Sequence, residues 1–496
     1  MDYPVQRVVK CGVLIHPADN LEAHGVGGFC QSFSGPNFCR FCHINHSDLL
    51  ERIHDYCDKP HAKWTVEEYN KAAQVAENKK KSLESVQYEE SSGSSDEDDE
   101  GDDCAEEELD DDEDEPELFG VKHRCPLNSL EAFHCITAFP PDVLHDLLEG
   151  VVSQDLLGII RIFSFKKWFT LEEYNNSLEE LSFRFSEAAD RPQGVPMSKK
   201  VSKLRGKACS LWVHMRNFPL IIRKYVNGER GADPVLMLGL LLHEVTERLT
   251  ASSFEDYEIH LLEEKIIEFL DLRRQIYEEF PLLGSPKPKT HFLTHYAQAI
   301  RLCGPPLSYW TARYESRHRI AKNTAESAKN FKNISLTVST RQQMRQSSVF
   351  YHNMFETSDL IISGKTTFKS ELKGDTDFEK AILPYMDDQD FLVSEIEFKS
   401  QIYRPGQLVV VEMFNADEIK VGLVTSILVK SKSVFFVTKQ FVAARNYLQY
   451  FKAESDDPTL TLDDASKLVD YKPLINHGTA SQLFFCLHHH ISYKYD

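Results

Sequence analysis

Apolar residues along the chain follow two periods, and the change comes near residue 400. Between about Leu118 and Phe280 they recur at helical spacing. Pro140, Pro141 and Asp142 open a helix that should run to about Ile162, and residues 207–226 form another, interrupted by Pro219 and closed by Asn227-Gly228. Asp233 followed by Pro234 is a helix cap with proline in the first turn, leading into VLMLGLLL. Ser252 with Glu255 reads as a capping box for a helix striped by Ile259, Leu262, Ile266, Phe269, Ile276 and Phe280. These stripes predict core packing, not chemistry. From Tyr403 onward, GQLVVVEM, KVGLVTSILV and SVFFVTKQFV are β-branched and aromatic runs of strand length. They predict a small C-terminal β domain over 401–496, built as a half-open barrel, after a linker at 346–400. At the other end, Val5 to Ile15 predicts a strand, followed by a turn at His16-Pro17 and a bend over the GVGG of residues 25–28. Residues 63–88 predict a polar helix dissolving into an acidic insert, so that 63–117 as a whole is expected to be disordered.

Charge changes the picture in one place. The 496 residues carry a net charge of −21, and residues 96–117 alone hold 17 acids and no base. Without that run the chain is nearly neutral, so the acidity belongs to one solvated segment that cannot bury apolar surface. An acidic strand of this kind can also compete with nucleic acid for a basic surface or recruit a basic protein partner. Eleven cysteines are scattered without a regular framework, which points to a reducing compartment with thiols free or on metal. No apolar run approaches the roughly 18 residues of a membrane span.

The chemistry-bearing residues are few. Cys39 and Cys42 form C-x2-C, and His291 and His295 stand four apart, on one face if their segment is helical. Together they would make a tetrahedral zinc site stapling both ends of a long insertion. A local site is the alternative, with Cys39 and Cys42 joined by His43 or His46 and by Cys57 or His54. Gly304, Pro305 and Pro306 end the histidine helix, and the next helical run sets Glu315 among Arg313, Arg317, His318 and Arg319. Asp19 follows the N-terminal apolar run and by itself is an ordinary turn carboxylate. Asp142, His145, Asp146 and Glu149 fall at i, i+3, i+4 and i+7, a polar stripe that either lines a site or faces solvent. Lys199, Lys200, Lys203, Arg205 and Lys207 make one basic cluster. Arg313, Arg317, Arg319, Lys322, Lys329 and Lys332 make another.

The order Asp19, C-x2-C, long helical insert, H-x3-H, Glu315, with the phrases PDVLHDLLEGV, KPKTHFLTHY, RYESRHR and NFKNI, resembles the CACTA/EnSpm branch of the DDE transposases, distantly related to the V(D)J recombinase catalytic core. The resemblance covers about residues 10–345. It implies a mainly α protein with an incomplete α/β RNase H-like core whose first strands are missing, a long helical insertion over 118–345, and the added β domain. It also favours the long-range zinc site of Cys39, Cys42, His291 and His295 over the local one, and makes Asp19 and Glu315 the second and third catalytic acids. Asp142, His145, Asp146 and Glu149 would then line the site.

In relatives the first acid lies well upstream, on the central strand, and Asp2 has no strand before it. Magnesium or manganese would therefore be bound only in an active form completed by an N-terminal part. The expectation is a catalytically inactive, transposase-derived DNA-binding protein, nuclear, with structural zinc and with salt-sensitive, weakly sequence-specific contacts from Lys199, Lys200, Lys203, Arg205, Arg313, Arg317, Arg319 and Lys322. A homo-oligomer is compatible with it. The competing expectations are an active nuclease or strand transferase, and a zinc-stapled protein-interaction scaffold.

Overall fold

The stripes between residues 140 and 280 fold as helices, and the runs beyond 403 fold as strands. The computed structural model describes residues 13–50, 62–90, 119–198, 200–330, 332–351, 360–431, 433–454 and 459–493. The chain divides into two compact units, Met1–Asp142 with Pro286–Cys303, and Val143–Ser285 with Gly304–Asp496. Its described residues are mainly helical, with antiparallel sheet near the C-terminus.

The first unit is helical and loop-built. Asp19 caps the helix Asn20–Gly27 by accepting a 2.7 Å hydrogen bond from Glu22 N–H. The bend expected over residues 25–28 is therefore helix up to Gly27, and only Gly28 turns, at φ +80°. A Cβ there would lie 1.9 Å from the His123 carbonyl, so both the turn and the approach require glycine. Most of the expected strand Val5–Ile15 falls outside the described residues, and its described end, residues 13–15, is irregular. In the described part of residues 1–62 no sheet strand forms; the pairing is limited to the isolated bridges Phe29–Val121 and Cys42–Lys63. The polar helix expected over 63–88 is Val66–Glu90, starting three residues later and ending two later. It packs because Tyr69, Ala72 and Ala73 share one face, and the Tyr69 hydroxyl donates to Gly27 O at 2.7 Å and accepts from Cys125 N–H at 2.9 Å. The acidic run 96–117 lies outside the described residues.

In the second unit, Val143–Val152 winds as a π-helix and continues as the α-helix Ser153–Phe165. The wider turn breaks the expected stripe, which presumed α-helical spacing. Asp146 is fully buried, whereas His145 and Glu149 are partly exposed. Helices Ala208–Ile222, with Pro219 inside it, Pro234–Leu249 and Asp256–Glu279 follow. Asp233 caps its helix as predicted, by accepting from Val235 N–H at 2.8 Å. The capping box of the last helix is instead made by Glu255 and Glu258, one turn beyond Ser252. Its stripe buries Ile259, Leu262, Ile266, Phe269 and Ile276, while Phe280 ends the helix half-buried. Arg273 on this helix forks onto Asp155 at 2.8 Å through two nitrogens, both side chains almost wholly buried.

The β region begins earlier than its sequence pattern. Residues 346–400, expected to be a linker, include the end of helix Ile334–Tyr351 and the short strands β1 Leu360–Ile362, β2 Thr366–Phe368, β3 Phe391–Val393 and β4 Ile396–Phe398. They are followed by β5 Gln401–Tyr403, β6 Gln407–Asn415, β7 Glu418–Lys430, β8 Ser433–Arg445, β9 Phe451–Glu454, β10 Leu460–Asp464, β11 Asp470–Ile475 and β12 Gln482–Phe485. The β7–β8 hairpin is the spine, with a register shift between Val424 and Ser426. On one side of that shift β7 pairs with β6, and on the other with β3. The two halves serve different cores, Ile419, Val421, Phe441 and Ala443 in one, Val424, Ile427, Val429 and Phe436 in the other. A bulge re-aims a strand in this way because the extra residue bends it.

Candidate metal centre

The histidine segment forms as a helical run, Pro288–Phe292, a 3-10 turn Leu293–His295, and Tyr296–Cys303. Gly304, at φ +80°, ends it before Pro305-Pro306. His291 and His295 therefore project together, and they meet Cys39 and Cys42 within the first unit. All four are buried, at 1–7 % exposure, and their ligand atoms lie within 4.8 Å of one another. Cys39 Sγ is 3.4 Å from His295 Nε2, Cys42 Sγ is 3.2 Å from His291 Nε2, the sulfurs are 3.7 Å apart and the two Nε2 atoms 3.1 Å apart.

Tetrahedral bonds of about 2.3 Å to sulfur and about 2.0–2.1 Å to nitrogen set edges of about 3.8 Å between sulfurs, about 3.4 Å between nitrogens and about 3.6 Å between unlike atoms. The observed edges agree to within about 0.4 Å of those values. Burial pushes the Cys39 thiol up, but the Cys42 thiol bonded to it and the two imidazoles beside it more than offset this and hold it well below the usual thiol range. Burial lowers His295. A thiolate beside a neutral imidazole is the protonation pattern a bound cation needs. The Phe41 N–H donates to Cys39 Sγ at 3.4 Å. The cluster can hold a metal ion.

The surrounding shell includes a residue that sequence reading missed. Arg40, between the two cysteines, is 1 % exposed and donates to Asn20 Oδ1 at 2.7 Å and to the carbonyls of Phe139 and Pro140. Its guanidinium also lies 4.2 Å from the Phe41 ring centre. Phe38 meets His291 edge-on, and Phe41 lies against His295. A charged residue inside C-R-F-C was the available signal, since a loop that buries an arginine is one built around fixed acceptors. Among the described residues the local alternative does not assemble. His43 stacks on Phe119 and meets Trp64 edge-on, and His46 is exposed against Phe38. His54 and Cys57 lie outside the described residues.

The other candidates are placed as follows. Asp19 belongs to the first unit and Glu315 to the second. Glu315, on the helix Ala312–Ala328, has its carboxylate 3.5 Å from His145 Nε2, and Thr311 Oγ1 lies 3.2 Å from His145 Nδ1. One residue of the PDVLHDLLEG phrase and the glutamate of RYESRHR thus come together, a pairing that spacing alone did not reveal. Asp142 and Asp146 are buried, so the stripe is not a solvated face. Lys200, Lys203 and Arg205 line a cavity of about 460 Å3 with Glu149 and Ser153, on a loop pinned by Leu204 N–H donating to Ser153 O at 2.7 Å. Lys199 lies outside the described residues. Arg313, Arg317, Arg319 and Lys322 are exposed on the helix of Glu315. Among the described residues no helix is long and apolar enough to cross a membrane. Comparison with known protein families gives no match, and neither does comparison with curated proteins.

Proposed function

We propose that the chain is a transposase-derived DNA-binding protein in which zinc, held by Cys39, Cys42, His291 and His295, joins the two ends of a helical insert to an RNase H-like remnant. The observation that carries this reading is the meeting of C-x2-C and H-x3-H across 249 residues, with the edge lengths of a tetrahedral site. Two thiolates and two imidazoles suit zinc, which fills four positions and leaves none open in a structural site. Binding without cleavage is supported by what the two acids already do. Asp19 caps a helix and Glu315 faces His145. Lys200, Lys203, Arg205, Arg313, Arg317, Arg319 and Lys322 supply the phosphate contacts, and a nuclear location follows from that substrate.

Two measurements on the full chain test this reading. Elemental analysis of the purified protein is expected to give one zinc per chain, lost in the His291→Ala/His295→Ala variant. Fluorescence anisotropy with a plain duplex is expected to give affinity that falls steeply with salt. Full zinc retention in the variant, or a flat dependence of log K on log salt, rejects the corresponding half of the proposal.

A further inference from the structure

The helix of Glu315 does not stand alone. Ala312–Ala328 is followed, through a turn in which Lys329 adopts φ +48°, by Ile334–Tyr351, capped by Asn333 accepting from Leu336 N–H at 3.0 Å. Asn330 donates to Thr337 Oγ1 at 2.9 Å, and Arg341 to Ser327 Oγ at 3.2 Å, so the two helices form a hairpin. Neither helix buries a single residue. Most helical stability in proteins comes from tertiary packing of one face, and this pair buries no face fully.

The missing cover has a definite chemistry. Residues 312–351 hold eight Lys or Arg and only two acids, in a chain of net charge −21, and Ile334–Tyr351 has no acid at all. Among the described residues no carboxylate pairs with Arg317, Arg319, Lys322 or Arg345, and Glu315, the acid nearest Arg317 and Arg319 along their helix, is engaged by His145. At about 100° per residue, Leu336, Met344, Phe350 and Tyr351 fall within about 120° on one side of the second helix, and Arg341 and Arg345, one turn apart, share another side.

From this exposed, acid-free, cationic helix we infer that the hairpin 312–351 is an arm that docks on duplex DNA, with Ile334–Tyr351 carrying contacts through Arg341 and Arg345. The inference rests on the DNA-binding reading above and extends it to a helix which that reading did not include. At each contact a guanidinium replaces condensed cations on the phosphate backbone.

The test is duplex binding by the full chain, measured by anisotropy across a salt series, with the Arg341→Gln/Arg345→Gln variant beside wild type. The variant is expected to bind about tenfold more weakly, with a log–log salt slope shallower by about 1.8, two contacts at about 0.9 each. Zinc content and helical circular dichroism should be unchanged, because neither arginine is buried. A photo-crosslinking residue in place of Gln342 is expected to attach to the duplex. If wild type binds DNA but the variant is unchanged and position 342 gives no crosslink, the arm is overturned and the DNA reading stands. If wild type does not bind duplex, both fall. Equal loss with single-stranded DNA only would assign the arm to a strand and overturn the duplex assignment.

Discussion

The two units of the chain are held together by different means. In the first, the apolar cluster is small and rich in alanine, with Ala18, Ala23, Ala72, Ala73 and Ala138 packed around Phe29, Trp64, Tyr69 and Phe139. None of its members comes from 286–303. That segment is tied to the rest through Cys39, Cys42, His291 and His295, and through the rings of Phe38, Phe41 and Phe292 beside them. In the second unit the β7–β8 hairpin runs between several apolar cores, and buried ion pairs tie its helices and strands, Asp155 to Arg273 and Glu247 to Arg445. The first unit adds a four-residue point of fastening to its apolar packing, which also buries Phe292, Leu293, Tyr296 and Ile300; the second relies on area. A point fastening fails all at once, and area fails by increments.

The sharpest way to break the comparison is to remove the zinc proposed for Cys39, Cys42, His291 and His295. Structural zinc sites bind with on the order of 10–16 kcal/mol, more than the whole stability of a typical domain. Chelation, or His291→Ala/His295→Ala, is expected to abolish hydrogen-exchange protection across residues 13–50 and 286–303 while β7 and β8 keep theirs. His295→Cys, which keeps four ligands, should restore protection. Equal protection with and without metal would show that the rings alone close this unit.

The converse experiment strikes the second unit. Asp155→Asn leaves Arg273 as a buried cation without its carboxylate, a change worth about 3–5 kcal/mol. The denaturation midpoint of the second unit should fall, with zinc content unaltered. Loss of zinc in this variant would mean that the units are not separately stabilised.

How much of this was legible follows from the physics of each signal. C-x2-C and H-x3-H could be read because each pair is local, two ligands on one turn or one helix face. Strands β6, β7 and β8 could be read because 9 to 13 residues give the alternation room to show. Strands β1 to β4 could not, because three residues carry no period and their pairing is decided by partners such as Ile427 and Val429 on β7. The fate of PDVLHDLLEG was hidden for another reason. A stripe drawn at 3.6 residues per turn dissolves when the segment winds as a π-helix, and Asp146 turns from a surface acid into a buried one. Arg40 was passed over because burial of a cation leaves no trace in spacing.

A smaller effect separates the units by pH. In the second unit His214 is lowered to about 4, and His477 and His489 to about 3, in each case chiefly by burial. These rings bind protons more readily unfolded than folded. Stability is therefore fully present above about 6.5 and is lost as pH falls from there towards 3–4, by on the order of 1 kcal/mol per unit for each histidine. Glu247 adds a lower window. Burial raises it, but Arg445 beside it more than offsets this and holds it at about 2, so its contribution is present above about 4.5 and fades as pH falls towards 2. Denaturation midpoints reported by exchange within β8 should fall below pH 6, and His477→Asn should flatten the slope. A midpoint that holds level from pH 7 to pH 4 would exclude these neutral rings as the cause.

The smallest expected effect lies at Glu315, and it sharpens the comparison where function is concerned. Its carboxylate is 49 % exposed and 3.5 Å from His145, the geometry of a surface pair that contributes about 0–1 kcal/mol. Glu315→Gln should leave both unfolding midpoints nearly unchanged and should strengthen duplex binding by less than about threefold, because it removes one of two acids from a basic hairpin. Manganese titration followed by electron paramagnetic resonance discriminates further. A carboxylate that serves only to hold His145 gives no bound-manganese signal that disappears in Glu315→Gln. A carboxylate that serves as a metal ligand gives such a signal in wild type and loses it in the variant. The second outcome would restore a catalytic cation to this helix and would make the contact with His145 a resting arrangement of an acid that does chemistry.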